Sequence, residues 1–260
     1  MRLNRIETRP EGPETVPPLL IAHGLFGTAR NWNGIARRLA EDGRRVVAVD
    51  MRNHGDSPWA DRQTYADMAG DLAEALADLG GEADLLGHSM GGKAAMTLAL
   101  GDPGPLRRLV VADIAPVAYA HSHLPHVEAM RAVDLSGVRR RGEAEPQLRA
   151  AVPDRGVRAF LLQSLAAGPE GARWRLNLDA LARAMPDLVG WEDPVPADPW
   201  PGPALFLAGS ASDYLLPAHR PRIRALFPGA RFAALKDAGH WLHAERPEAF
   251  ADTVSAFLDA

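Results

Sequence analysis

Gly87-His88-Ser89-Met90-Gly91 follows the apolar run Ala83 to Gly87 directly and opens a helical stretch from Met90 to Leu100. Strand, sharp turn and helix in that order are what a serine nucleophile needs if its hydroxyl is to stand clear of a sheet. The glycines have a steric reason. Residues without a Cβ let strand and helix approach while Ser89 is held on a strained turn. The helix start adds backbone N–H groups and the positive end of a dipole at the place where an oxyanion would form.

Outward from this turn, short apolar runs recur at Leu19 to His23, Arg45 to Asp50, Ala83 to Gly87 (interrupted only by Asp84) and Leu109 to Ala112. Helical patterns separate them, at Asn31 to Glu41 and at Thr64 to Leu79. In the second, Thr64 and Asp67 resemble a capping box, and Gly80-Gly81 ends the helix. Strand and helix alternating at this spacing predict βαβ units and a mostly parallel sheet, buried on both faces and flanked by helices. The fold class is α/β.

The pattern breaks at Pro116 and resumes with a strand at Ala204 to Ala208, a helix from about Pro217 to Phe227, a strand at Arg231 to Leu235 and a helix from Pro247 to Leu258. In between, Val127 to Val133, Val157 to Ala167 and Leu176 to Met185 are amphipathic helical stretches with Pro/Gly punctuation and no clear strand. The expectation is a core of residues 1–115 and 202–260 with a helical cap inserted at 116–201. The end of the cap, Trp191 to Pro203, holds five prolines and reads as a stiff return linker.

Four further stretches fall at the edge of the sheet that carries Ser89. His23-Gly24-Leu25-Phe26-Gly27 follows the first strand, where a glycine-relaxed loop can turn a backbone N–H toward the serine. The main-chain amides of Leu25 and Met90 are the candidate oxyanion donors. Gly239-His240-Trp241 lies between the last strand and the last helix, which makes His240, among nine histidines, the candidate general base and acid. Two aspartates sit at strand ends on the same edge. Asp113 closes Val110-Val111-Ala112 where the chain must leave the sheet, and Asp213 follows Ala204 to Ala208. Asp113 is the preferred acid, with Ser212 as a possible hydrogen-bonding neighbour, and Asp213 is the alternative. Phe26 and Trp241 are the candidate pocket residues.

Composition narrows the classes. With 29 Lys plus Arg against 33 Asp plus Glu, the chain has a net charge of −4 and no global field for nucleic acid. No cysteine means no disulfide framework, thiolate nucleophile or cysteine-ligated metal. Met1 to Pro10 has no apolar core of a signal peptide, and no apolar run approaches a membrane span, so a cytoplasmic location is expected. The oligomeric state, monomer or dimer, is not legible.

Taken together, His23-Gly-Leu-Phe-Gly27, Asp50-Met-Arg-Asn-His-Gly-Asp-Ser57, Gly87-His-Ser-Met-Gly-Gly-Lys93, Asp113-Ile-Ala-Pro116, Trp174-Arg-Leu-Asn177 and Gly239-His-Trp-Leu-His-Ala244 resemble the α/β-hydrolase superfamily and, within it, the small YbfF-type esterases. The resemblance runs through nearly the whole chain. It implies an eight-stranded core with a helical cap, no cofactor, and a small-molecule ester or thioester substrate of short to medium acyl length. It also supports Asp113, since the family uses the earlier strand end. The commoner superfamily pattern sets an aspartate three residues after the glycine ending the later strand. Counted from Gly209 that place is Ser212, with Asp213 one residue late but at the usual distance from Pro217.

The same constellation could cleave a carbon–carbon bond or an amide, and a receptor could retain such a pocket for binding alone. Other features have blander readings. His121, His123 and His126 lack a carboxylate at ligand spacing, so no metal is expected. Arg139-Arg140-Arg141 reads as a solvated face, Asp50 and Arg52 as an ion pair bracing the Asn53-His54-Gly55 turn, and Trp32, Trp59 and Trp174 as core.

Overall fold

A computed structural model describes residues 1–193 and 198–260. Seven strands form the main sheet: β1 (Arg5–Thr8), β2 (Leu19–Ala22), β3 (Val46–Val49), β4 (Ala83–His88), β5 (Leu106–Ala112), β8 (Ala204–Gly209) and β9 (Ala230–Leu235), in the order β1-β3-β2-β4-β5-β8-β9. All pairs are parallel except β1 with β3. The helices on its faces are α1 (Asn33–Ala40), α2 (Tyr65–Ala77), α3 (Met90–Leu100), α8 (Arg220–Leu226) and α10 (Pro247–Leu258).

Alternation along the strands divides the core in two. Leu20, Val47, Leu85, Val111 and Phe206 pack with Leu72 of α2 and Ala94 of α3. Ile21, Val46, Leu86, Val110 and Leu207 point the other way, onto Ile35 of α1 and Phe250 of α10. Asp84, the one charge in the β4 run, is fully buried, and its carboxylate accepts from Arg44 Nη1 (3.0 Å) and Arg107 Nε (2.9 Å). The Thr64 hydroxyl caps α2 by accepting from the Asp67 amide at 3.1 Å.

Among the described residues the sheet has seven strands rather than eight. Between β1 and β2 the chain runs Arg9-Pro-Glu-Gly-Pro-Glu-Thr-Val-Pro-Pro18 without a strand, and each proline there lacks the N–H that a ladder requires. Between β5 and β8 lie α4 (Leu124–Arg131), α5 (Arg141–Leu148), α6 (Arg155–Leu162) and α7 (Leu178–Val189). The expectation of no strand there is wrong: β6 (Leu165–Gly168) and β7 (Gly171–Trp174) form an antiparallel hairpin. Helix α6 stops at Leu162 instead of running on to Ala167, and Gly171 turns the chain at φ 125°. Of the expected linker Trp191 to Pro203, residues 194–197 lie outside the described residues.

Two smaller readings are also corrected. Asp50 and Arg52 do not pair with each other. The Asp50 carboxylate accepts from the amides of Ala29 (2.7 Å) and Asp56 (2.9 Å), while Arg52 holds Asp71 through Nε (2.6 Å) and Nη2 (2.8 Å). Trp59 is no core residue, being 55% exposed, whereas Trp32 and Trp174 are buried.

Candidate active site

Ser89 sits between the end of β4 and the start of α3 with φ 53° and ψ −118°, a conformation that costs a residue bearing a Cβ. Its neighbours explain how it is held. A Cβ on Gly87 would come 2.3 Å from the Gly91 carbonyl oxygen, and one on Gly91 would come 2.4 Å from that of Ala22. Only glycine lets the helix start this close to the strands. Ser89 N–H donates to Ala112 O (3.0 Å), which ties the turn to β5.

His240 follows β9, and its ring reaches across the sheet edge. The Ser89 hydroxyl is 3.0 Å from Nε2, and Nδ1 is 2.8 Å from Asp113 Oδ2. A carboxylate beside Nδ1 assigns the proton to that nitrogen, so Nε2 is left as the acceptor for the serine hydroxyl.

Asp113 is fully buried just beyond β5, with φ 51°. Its Oδ1 accepts from Gly209 N–H (3.0 Å), and its Oδ2 also accepts from the Ser212 hydroxyl. A Cβ on Gly209 would fall 2.2 Å from the Gly239 carbonyl oxygen, so the close packing of the two loops depends on that glycine. Asp213 is exposed, and its carboxylate makes no hydrogen bond to His240.

The loop after β2 faces the serine from the other side. Phe26, at φ 65°, donates its N–H to His54 Nε2 (3.2 Å), and Gly27 N–H donates to Gly24 O (3.0 Å). The amides of Leu25 and Met90 have no hydrogen-bond partner among the described residues. Both remain available to an oxygen bound above Ser89. Burial pushes His54 down to about 3, so its ring stays neutral and keeps Nε2 as an acceptor.

Three contacts were missed by sequence reasoning. The Tyr214 ring stacks on His240. His88 Nε2–H donates to His240 O (2.8 Å), and burial drives His88 well below the ordinary histidine value. Gly209 N–H supports the buried aspartate. The only trace of these in the sequence is proximity to the motifs: His88 lies inside the turn, and Tyr214 is two residues from Ser212.

A cavity of about 200 Å³ opens beside Ser89 and His240, lined by Phe26, Trp32, Phe160, Leu161, Trp241 and other side chains. Phe160 and Trp241 meet with ring centroids 5.2 Å apart. Of the string His121, His123, His126, the last two line the cavity and stack on each other at 22° between planes, and His121 packs edge-on against His123. Among the described residues no cluster of three His, Cys, Asp or Glu is disposed to hold a metal, and no helix is long and apolar enough to cross a membrane. Arg139, Arg140 and Arg141 are exposed.

The model of the alpha/beta hydrolase family matches residues 19–253. The chain is 42% identical over 256 residues to the sn-1-specific diacylglycerol lipase ABHD11 of Mus musculus, covering 95% of this chain and 83% of that one. It is 38% identical over 261 residues to esterase YbfF of Escherichia coli (strain K12), covering 100% of both. A solved structure described as a marine microorganism esterase superposes with a TM-score of 0.90 at 35% identity, covering 98% of this chain and 99% of that chain.

Proposed function

The chain belongs to the alpha/beta hydrolase family and is a carboxylic ester hydrolase, and we propose that it cleaves short to medium acyl esters through Ser89, His240 and Asp113. The observation that carries this reading is the unbroken relay from Asp113 Oδ2 to His240 Nδ1 (2.8 Å) and from His240 Nε2 to Ser89 Oγ (3.0 Å). Ser89 Oγ attacks the acyl carbonyl as His240 Nε2 takes its proton. The carbonyl oxygen, now an oxyanion, is held by the amides of Leu25 and Met90. His240 returns the proton to the leaving oxygen, and an acyl-Ser89 ester remains. Water then attacks that ester, losing a proton to His240, and Ser89 is regenerated as the acid departs. Asp113 keeps Nδ1 protonated and stabilises the imidazolium at each stage. A thioester offers the same carbonyl to the same groups.

In this reading residues 116–201 act as a cap over Ser89, with Phe160 and Leu161 of α6 forming a wall of the cavity. The test is turnover of a chromogenic short-chain ester by the protein and by Ser89→Ala. The variant should keep its circular dichroism spectrum and lose at least about a thousandfold in kcat, because the oxyanion donors alone leave only residual rate. An active Ser89→Ala protein would remove Ser89 from the mechanism.

A further inference from the structure

Ser89 stands between two compartments of different size. The larger, of about 200 Å³, is lined by His240 and Trp241 together with Phe160 and Leu161 of α6. The smaller, of about 30 Å³, is lined by Leu25, Met90 and Ser89 itself, with Ile114, Leu188 and Lys93 among its other walls. His240, the proton donor, lines only the large compartment, Met90 lines only the small one, and Leu25 and Ser89 line both.

That asymmetry has a chemical consequence. In the collapse of the tetrahedral intermediate, His240 Nε2 must reach the leaving oxygen, so the alcohol side of the ester has to lie on the side of His240. The acyl side is then directed away from it. Resting on the ester-hydrolase reading above, we propose that the small compartment is the acyl subsite and the large apolar one takes the alcohol, so that the preferred substrates are esters of a short, uncharged acid with a bulky apolar alcohol.

The walls of the small compartment agree with an uncharged acyl group. The Tyr65 hydroxyl donates to Leu188 O (2.7 Å), and the Tyr119 hydroxyl donates to Tyr214 O (2.6 Å) while accepting from Ala115 N–H (2.9 Å). The Lys93 ammonium donates to the carbonyls of Val189 and Gly190 and lies 4.8 Å from the centroid of the Tyr119 ring. Tyr65, Lys93 and Tyr119 thus already have partners within the protein. A volume of about 30 Å³ corresponds to roughly two water-sized positions, which suits an acyl tail of about two carbons beyond the carbonyl. The apolar lining of the large compartment places no comparable limit on the alcohol.

Two ester series separate the roles: p-nitrophenyl esters of straight-chain acids from acetyl to octanoyl, and acetates of straight-chain alcohols from ethyl to octyl followed by titration of released acid. We expect kcat/KM to fall at least about tenfold from propanoyl to octanoyl in the first series and to rise with length in the second. Leu188→Ala, in the wall of the small compartment and not of the large one, should move the acyl cutoff outward and leave the alcohol profile in place. Phe160→Ala should flatten the alcohol profile and leave the acyl cutoff in place. If octanoyl esters are cleaved as well as propanoyl esters by the unaltered protein, or if Phe160→Ala shifts the acyl profile, the assignment is reversed while the role of Ser89 stands. A protein that cleaves neither series overturns both.

Discussion

The aromatic ring of Tyr214 lies on the imidazole of His240, with centroids 3.8 Å apart and planes 20° from parallel. Tyr214 is fixed from several sides: its carbonyl accepts the Tyr119 hydroxyl at 2.6 Å, its own hydroxyl contacts His123 Nε2 at 3.3 Å, and its amide donates to Ser212 Oγ at 3.3 Å. The face it offers His240 is therefore preorganised. In the proposed mechanism His240 becomes an imidazolium as Ser89 attacks, and a cation over the face of an aromatic ring is favoured by about 0.5–2 kcal/mol. The stack also limits rotation of the imidazole away from Asp113.

Replacing Tyr214 by leucine should lower kcat/KM about 2- to 30-fold, the range those energies convert to. Tyr214→Phe keeps the ring and should stay close to the unaltered protein. Equal losses in Tyr214→Leu and Tyr214→Phe would argue against a role for the ring face.

The acid is decided by three substitutions compared on one ester. Asp113→Asn removes the charge that faces His240 Nδ1 and should cost on the order of 10⁴ in kcat/KM. Asp213→Asn alters an exposed residue and should remain within about tenfold. Ser212→Ala takes one hydrogen bond from Asp113 Oδ2 but leaves Gly209 N–H on Oδ1, so its loss should be intermediate. A severe Asp213→Asn beside a mild Asp113→Asn would move the acid to the later strand.

The parts of the site that were legible in the sequence are those carried by local constraint. Ser89 is announced by Gly87 and Gly91, which the chain must have because the strand and helix touch there, and helix α3 runs over the expected residues Met90 to Leu100. Standing at strand ends on one edge grouped His240 with both Asp113 and Asp213; it is the approach of Asp113 Oδ2 to His240 Nδ1, at 2.8 Å, that distinguishes the two. What was not legible depends on approach between distant segments. Nothing local to Tyr214 states that it will lie on a ring 26 positions later in the sequence, and nothing local to His54 states that it accepts the Phe26 amide. The expected Asp50–Arg52 pair failed for the same reason, because each found better partners elsewhere, Asp50 on backbone amides and Arg52 on Asp71. The hairpin β6–β7 is a different case. Gly168-Pro169-Glu170-Gly171 is a turn signal written in the sequence, but the apolar residues before it matched a helical period as well.

Two glycines should respond in opposite directions to alanine. In Gly91→Ala the new Cβ would meet the Ala22 carbonyl oxygen at 2.4 Å, and backbone cannot swing aside as a side chain can. A loss of stability of roughly 1–3 kcal/mol or more is expected, seen as a lower urea midpoint. Gly70 is exposed in the middle of α2 with nothing within 4 Å of a built Cβ, so Gly70→Ala should stabilise by about 0.5–1 kcal/mol through helix propensity. A stable Gly91→Ala protein would mean that the elbow is less tightly packed than these distances require.

Stability should fall in mild acid because several histidines are buried without a charge partner. Burial pushes His54 and His243 each down to about 3 and His123 to about 4, and it drives His88 well below its ordinary value. In every case folding lowers the pKa, so the unfolded chain binds a proton that the folded chain refuses. Stability is therefore complete above the ordinary histidine value near 6.5 and is lost as pH falls from there toward 3. At pH 5, His54 and His243 alone make unfolding take up about two protons, a slope of roughly 2.7 kcal/mol per pH unit. Urea unfolding between pH 6.5 and 5, above the range where carboxylates titrate, should show the midpoint dropping steadily. His243→Phe, which keeps an aromatic ring against Trp32 where His243 stacks at 4.2 Å, should flatten the slope by about 1.4 kcal/mol per pH unit. A midpoint constant over that window would mean that these imidazoles accept protons inside the fold.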